Sequence, residues 1–314
     1  NIGAHGRCRA CVVDVKGSPN LVTACNTPAA EGMEVVTDSQ KVMDAQRFVI
    51  KLLLASGNHD CITCERNGEC ELQDAAYNLK IEDSEIRRRK YPPHSDESSD
   101  FIRVDHTRCI LCQRCVEACN HVVVNRVIKP ITRGHEAHIG FDANEPMGES
   151  SCVQCGECTQ ICPVGALTNK KSLGKGREWE VKRVRTTCPY CGVGCQLNLH
   201  VKDGRIVKVT GVEKGKPNKG RLCVKGRYGY DFIYSADRLT TPLIREKDGT
   251  FREASWDEAL DLTAKKFKEI IKKHGPDAIA GVSCARSTNE DSYQMQKLFR
   301  SVLKTNNIDH CART

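Results

Sequence analysis

Eighteen of the twenty cysteines in this 314-residue chain fall into five tight groups, and the spacing within each group limits what the chain can fold around. Two runs repeat one pattern, Cys109-x2-Cys112-x2-Cys115-x3-Cys119 and Cys152-x2-Cys155-x2-Cys158-x3-Cys162-Pro163. Three thiolates on one short loop can cap one face of an iron-sulfur cube. The fourth must come from elsewhere, and in this spacing the last cysteine of each run serves the other cluster. The runs therefore predict one [4Fe-4S] cluster on Cys109, Cys112, Cys115 and Cys162, and a second on Cys152, Cys155, Cys158 and Cys119. Asn120 stands where a proline usually follows such a run. Structural zinc sites pair two separated doublets, and secreted disulfide frameworks scatter their cysteines, so neither fits these runs.

The other groups are less complete. Cys188-x2-Cys191-x3-Cys195 is joined by Cys223 after 27 intervening residues, with Gly192 and Gly194 leaving backbone room. Taken alone it fits a zinc ribbon as well as a third [4Fe-4S] cluster, and its neighbours favour the cluster. In His59-x-Cys61-x2-Cys64-x5-Cys70 the three cysteines are ligands of a fourth [4Fe-4S] cluster. His59 is either its fourth ligand or a solvated histidine in a polar turn; as a ligand it would remove one negative charge and raise the reduction potential. Cys8-x2-Cys11-x13-Cys25 is one ligand short. Plant-type [2Fe-2S] domains place a cysteine upstream of the close pair, so the missing ligand is expected before Asn1. Cys284 and Cys311 belong to no group and are expected to be core thiols.

Only 39% of the residues are hydrophobic, cysteines included, which favours small modules held together by metal over one large core. The formal charge of +8, with basic segments at 87–90 and 170–185, would suit a nucleic-acid binder. Each four-thiolate cluster carries roughly two negative charges when oxidised, however, so five clusters would bring the balance to about zero. Aromatics are sparse and no recognition motif accompanies the charge, so no nucleic-acid partner is expected. No apolar run is long enough to span a membrane, which points to a cytoplasmic protein, although a chain starting at Asn1 leaves a lost leader open.

Between the cysteine groups, Cys11–Val15 and Met33–Thr37 read as short strands. Ser39 caps a helix whose apolar side is Val42, Phe48, Val49, Leu52 and Leu53. Gln196–Val201 and Arg205–Thr210 alternate around Lys202-Asp203-Gly204 as a hairpin. Ser255 with Glu258 forms a capping box for a helix carrying Trp256, Leu260, Ala264, Phe267 and Ile271. A buried strand at Ala278–Val282 and a helix from Asn289 to Lys304 then open an α/β layer.

With these residues in view, the chain resembles the catalytic subunit of soluble, NAD(P)- or hydrogen-linked formate dehydrogenases of the molybdopterin oxidoreductase superfamily. The resemblance covers essentially the whole chain. It rests on Gly6-Arg-Cys-Arg-Ala-Cys-Val-Val13, on Cys61-Ile-Thr-Cys-Glu-Arg-Asn-Gly-Glu-Cys-Glu-Leu-Gln73, on Thr187-Cys-Pro-Tyr-Cys-Gly-Val-Gly-Cys195 and on Gly220-Arg-Leu-Cys-Val-Lys-Gly226. Many relatives place the histidine four residues before the first cysteine of the second motif, where this chain has Gly57.

The resemblance implies an α+β multi-domain chain. Residues 1–40 would be an N-terminally truncated β-grasp [2Fe-2S] ferredoxin domain, 41–82 a [4Fe-4S] domain with one histidine and three cysteine ligands, and 83–100 a linker. A two-[4Fe-4S] ferredoxin-like domain (101–169), a second linker (170–184), a [4Fe-4S] domain (185–240) and the start of an α/β molybdopterin oxidoreductase domain (241–314) would follow. It further implies a bis-molybdopterin guanine dinucleotide with molybdenum or tungsten, four [4Fe-4S] clusters and one [2Fe-2S] cluster. Lys225 would lie between a cluster and the pterin, and Arg286 and Asn289, in Ser283–Glu290, would contact the pterin nucleotide. Formate or CO2 would be the substrate, and a diaphorase-type flavin/NAD(P) subunit, a ferredoxin or a hydrogenase subunit the electron partner. Asn306–Thr314 resembles the segment just before the catalytic selenocysteine or cysteine, which is expected immediately after Thr314, with a UGA codon read as a stop as one explanation. The large iron-sulfur subunit of respiratory complex I is the alternative, although it normally lacks the two-cluster module. An iron-only hydrogenase fits less well, because Cys188–Cys223 with Lys225 has no place in it.

Overall fold

The spacing of turn residues and β-branched runs is expressed as a series of small sheets. The computed structural model describes residues 5–87 and 95–311, so Arg88, Arg89 and Lys90 of the first basic segment, residues 91–94 of the linker and Thr314 lie outside the described residues. The chain forms two compact units, one of Asn1–Thr186 with Leu197–Tyr228, the other of Thr187–Gln196 with Gly229–Thr314.

The first unit begins with strand β1 (Val12–Val15), flanked antiparallel by β2 (Val22–Thr23) and β3 (Val35–Val36). Helix α1 (Gln40–Ala55) starts where Ser39 Oγ accepts the Val42 amide at 3.3 Å. Its buried residues are Val42 and Ile50, with Ala55 in the last turn, while Phe48 and Leu52, expected to face inward, are exposed. At 100° per residue Val42 and Ile50 lie on one side of the cylinder, and Phe48 and Leu52 turn away from it. Helix α2 (Glu71–Asn78) packs on α1 and begins directly after Cys70.

Ser95–Asp96 forms β4 against β5 (Ile102–Asp105), which also pairs with β8 (Leu167–Asn169). Asp96 accepts the Met147 amide at 2.6 Å, and fully buried Ser99 accepts the Phe101 and Ile102 amides. The end of the polar stretch is thus built into the sheet. Between β5 and β8 lie α3 (Arg114–Glu117), the hairpin of β6 (Ile128–Ile131) and β7 (His138–Phe141), and α4 (Glu157–Ile161). Ile102, Val104, Val116, Val127, Ile139, Phe141 and Met147 form the core beneath them, together with Cys115, Cys119, Cys158 and Cys162.

Strand β9 (Lys182–Thr187) joins β10 (Gln196–Lys202) and β11 (Arg205–Gly211), the last two closed by Asp203 and Gly204 at φ of 49° and 73°. Two successive left-handed residues are what a tight hairpin turn requires. Helix α5 (Val224–Tyr228) follows.

In the second unit β12 (Leu243–Arg245) pairs with β13 (Phe251–Glu253), and Ser255 caps α6 (Trp256–His274) through the Glu258 amide. The Glu258 carboxylate pairs with Arg252 instead of completing a capping box, because the adjacent hairpin offers a guanidinium. Of the apolar side of α6, Phe267 and Ile271 pack against Ile279, Phe299 and Leu303, whereas Trp256 and Leu260 are exposed. Strand β14 (Gly281–Ser283) is shorter than expected and Val282 is 74% exposed, since Pro276–Ala278 is taken up by a helical turn. Helix α7 (Asn289–Lys297) runs into a wider helical turn at Leu298–Leu303, and β15 (Ile308–His310) lies parallel to β14.

Candidate metal centres

The two cysteine runs fold the same way. Leu111 and Gln113 in the first, and Gln154 and Gly156 in the second, take left-handed φ values between 49° and 74°. These turns bring three thiols of each run to one side. They also aim the Leu111 amide at Cys109 Sγ and the Gln154 amide at Cys152 Sγ, both at 3.4 Å. Such N–H···S contacts hold negative charge on sulfur and tune a cluster's potential. After each loop, α3 or α4 carries the chain across to the other half.

The crossing is explicit in the geometry. Cys109, Cys112, Cys115 and Cys162 line one cavity with Val104, Ile110, Ile139 and Val164. Burial, together with the neighbouring thiols of the same quartet, pushes Cys109 up to about 12 and Cys112 up to about 11. Cys152, Cys155 and Cys158 are likewise raised by burial, with Cys119 and one another as the added negative neighbours. Thiols raised together in this way by burial and by one another resist ionising as a group unless further positive charge enters among them. Iron supplies that charge, so this donor set fits a cluster and fits a solvated surface poorly.

A second cavity is lined by His59, Cys61, Cys64 and Cys70, with Arg108 and Gly165 completing its wall. A Cβ on Gly165 would lie 2.6 Å from Cys64 Sγ, so the glycine forms a cradle against the thiol. Gly57, where the resemblance would place the histidine, cannot carry a side chain here. A Cβ would sit 2.1 Å from the Thr107 carbonyl oxygen, and His59 Nε2 lies 3.5 Å from that same point. The His59 ring therefore reaches back toward the space that a residue at 57 would have filled. Arg66 donates to the Cys162 carbonyl at 3.1 Å, and Glu71 N donates to the Pro163 carbonyl at 3.0 Å, so this site abuts the Cys162 quartet.

Cys11 neighbours both Cys25 and Cys8, and burial, then the charge of these two thiols, raises it. Cys8 also acts on Cys112, which places the first group beside the same quartet from another direction. Arg7 and His5 meet Glu117 of α3 at 3.3 and 3.0 Å.

Cys188, Cys191 and Cys195 share a loop of the second unit, closed by the Cys188 amide on the Cys195 carbonyl at 2.8 Å. Cys223 directly precedes α5 in the first unit, and Lys225 is exposed on that helix. In the second unit Arg286 is exposed on the loop before α7 and Asn289 is exposed as the first residue of that helix, which Thr288 caps with Asp291. A Cβ on Gly192, in the cysteine loop, would come within 3.0 Å of the Ala285 carbonyl. Cys284 and Cys311 are exposed and not core thiols, because each follows the last residue of a strand.

Arg227 was not singled out by its sequence context, yet it is 1% exposed. Its guanidinium donates to the Cys155 carbonyl at 2.7 Å, to Gln160 Oε1 at 2.7 Å and to Glu157 Oε2 at 3.2 Å, while its amide donates to the Cys223 carbonyl at 3.1 Å. One residue thus ties the Cys152–Cys158 loop to Cys223. Its neighbour Tyr228 stacks on Phe101 at 4.7 Å. The available signal was position: one turn into the helix that starts after Cys223, a side chain returns to the side of that cysteine.

Much of the basic stretch is also spent internally. Lys170 Nζ donates to the carbonyls of Glu97 and Ser99 at 2.9 Å, and Arg177 to those of Cys64 and Ile62. Lys208 Nζ sits 2.6 Å from Glu69 and 3.8 Å from Glu178, beside buried His200. This carboxylate and histidine cluster already holds its own cations.

Comparison with known proteins follows the same order of modules. Residues 1–40 match the 2Fe-2S iron-sulfur cluster binding domain, 46–85 the NADH-ubiquinone oxidoreductase-G iron-sulfur binding region, and 99–168 the ferredoxin-like domain of NADH-quinone oxidoreductase subunit 3. Residues 181–235 match the molybdopterin oxidoreductase Fe4S4 domain and 238–314 the molybdopterin oxidoreductase model. The chain belongs to the molybdopterin oxidoreductases. It is 37% identical over 99% of its length to the NADPH-Fe(3+) oxidoreductase subunit alpha of Geobacter sulfurreducens, and 35% identical over its whole length to a Staphylococcus aureus protein that bears the provisional name formate dehydrogenase. It spans 36% and 35% of the length of those two relatives. Among solved structures, an NAD+-reducing [NiFe]-hydrogenase in the H2-reduced state aligns over 54% of this chain and 71% of its own, at 32% identity and a TM-score of 0.50. As a molybdopterin oxidoreductase the chain carries [2Fe-2S] and [4Fe-4S] modules for electron transfer. Among the described residues no helix is long and apolar enough to cross a membrane.

Proposed function

We propose that this chain is the electron-relay portion of a formate dehydrogenase or CO2 reductase. Oxidation of formate to CO2 releases two electrons and one proton, whereas iron-sulfur clusters accept electrons one at a time, so a substrate site of this kind needs several clusters in series. The observation that carries the reading is the continuity of the thiol sites. Arg7, beside Cys8, pairs with Glu117 two residues after Cys115, Cys64 adjoins Gly165 next to the Cys162 quartet, and Arg227 joins the Cys155 loop to Cys223.

In this reading Cys109, Cys112, Cys115 and Cys162 hold one [4Fe-4S] cluster, and Cys152, Cys155, Cys158 and Cys119 a second. His59, Cys61, Cys64 and Cys70 hold a third, Cys188, Cys191, Cys195 and Cys223 a fourth, and Cys8, Cys11 and Cys25 contribute to a [2Fe-2S] cluster. The retreat of Gly57 and the reach of His59 into its space support the histidine as ligand. A bis-pterin molybdenum or tungsten centre would supply the two-electron chemistry. Lys225, Arg286 and Asn289 are its proposed contacts. The NADH-ubiquinone oxidoreductase-type modules and the name of the Geobacter relative support a flavin/NAD(P) subunit as the electron partner. The name of the Staphylococcus relative supports formate.

The test uses the full-length protein, purified anaerobically. Formate should reduce a viologen dye and the cluster signals in electron paramagnetic resonance should appear together. Cluster reduction by NADPH with none by formate would reject formate as substrate and leave the relay. Zinc in place of iron would reject the relay itself.

A further inference from the structure

The two cysteines outside the relay are placed side by side by the fold. Strands β14 and β15 are parallel with Ser283 opposite His310, so Cys284 and Cys311 each follow by one residue at the carboxyl ends of adjacent strands. Paired strands lie about 4.8 Å apart, within the Cα separation a disulfide spans. Their sulfurs are 3.8 Å apart and both residues are exposed.

We propose that Cys284 and Cys311 form a redox-active dithiol, closed to an intramolecular disulfide by low-molecular-weight disulfides and reopened by low-molecular-weight thiols. This site is separate from the proposed relay and does not depend on formate as substrate. Cys311 is the attacking thiol. The Ala285 amide, then the Cys284 side chain, hold its pKa below the ordinary thiol value, and Arg286 adds positive charge. Cys311 sulfur attacks one sulfur of the external disulfide, forming a mixed disulfide as the external bond breaks and one thiolate leaves. Cys284 then attacks Cys311 sulfur, the mixed bond breaks and the second thiolate leaves. The two protons and two electrons of the dithiol end on the two released thiols. The Arg286 amide, 3.3 Å from Cys284 Sγ, supports the resolving sulfur. Closure pins the loop whose Ala285 carbonyl faces Gly192 of the cysteine loop, so the oxidation state bears directly on that contact.

The experiment equilibrates the anaerobic full-length protein with glutathione at a series of oxidised-to-reduced ratios. It then quenches in acid, alkylates, and analyses the tryptic peptides 274–286 and 305–313, each of which contains one of the two cysteines and no other. The expected product is the pair joined by a disulfide, with both thiols lost in parallel along a two-electron curve. In Cys284→Ser, Cys311 should accumulate as a glutathione adduct at least tenfold longer-lived than in the parent, with iron content unchanged. Independent glutathione adducts on the two residues, full alkylation of both throughout the series, or cross-links to a peptide from another cysteine group would each overturn the proposal.

Discussion

Substituting Gly165 by alanine tests the placement of the histidine and three-cysteine site with a single methyl group. The added carbon would stand 2.6 Å from Cys64 Sγ, with Arg108 and Arg66 side-chain carbons 3.4 and 3.6 Å away on its other sides. Non-bonded atoms of this size settle about 3.6 Å apart, so the sulfur must retreat by about 1 Å. Cys64 is buried, and forcing a methyl into a packed core costs about 1–3 kcal/mol, which the fold can absorb. The metal site cannot absorb it, because ligand distances are fixed to about 0.2 Å. Since the backbone at Gly165 is not left-handed, alanine adds bulk there and little else. The full-length Gly165→Ala protein should therefore lose about four irons per chain and one paramagnetic signal, with the remaining signals intact. Unchanged iron and unchanged spectra would show that Cys64 does not ligate a cluster in this position.

Three other outcomes follow from the same geometry. Cys162→Ser should abolish or alter the cluster of Cys109, Cys112 and Cys115, and Cys119→Ser that of Cys152, Cys155 and Cys158; a signal lost from its own run instead would refute the exchange of ligands. Arg227→Met leaves Glu157, 12% exposed, without its cation, and should lower stability in urea titrations by about 3–5 kcal/mol, most of it recovered in the double variant with Glu157→Gln. Recovery of none of it would refute the pairing. His200 is shifted from 6.5 to about 4, by burial first and then by Lys208 and Arg183. The unfolded chain therefore takes up a proton that the folded one refuses. The stability this histidine contributes is fully present above pH 6.5 and is lost as pH falls toward 4, about 2 kcal/mol of it between pH 7 and 5. His200→Gln should flatten that part of the pH dependence of the urea midpoint, and an unaltered slope would refute it.

The repeated Cys-x2-Cys-x2-Cys loops were legible in the sequence because the spacing alone demands a tight turn, and the turn leaves only one way for three thiols to converge. The hairpin at Lys202–Gly204 and the Ser39 and Ser255 caps were legible for the same local reason. What escaped was set by long-range packing. Phe48 and Leu52 look inward on a hydrophobicity reading, but which side of α1 is buried depends on α2 and β1, which bring no sequence signal to those positions. Arg227 reads as one more surface charge until the loop around Cys155 is seen to leave its carbonyl unserved. The lysines and arginines of the basic stretch read as a patch, yet Lys170 and Arg177 are tethers to backbone carbonyls. Cys284 and Cys311 lie 27 residues apart in the chain, and only the register of two parallel strands brings them together.

The proposed exchange of Cys119 and Cys162 between the two halves would also govern how the module is made and lost. Neither half would be filled and finished before the other had folded, because each would lack a ligand until its counterpart was in place. Assembly would then be a joint event, and so would damage. An oxidant that stripped iron from one site would free the helix end that supplies the other's fourth sulfur, so repair would have to restore the pair.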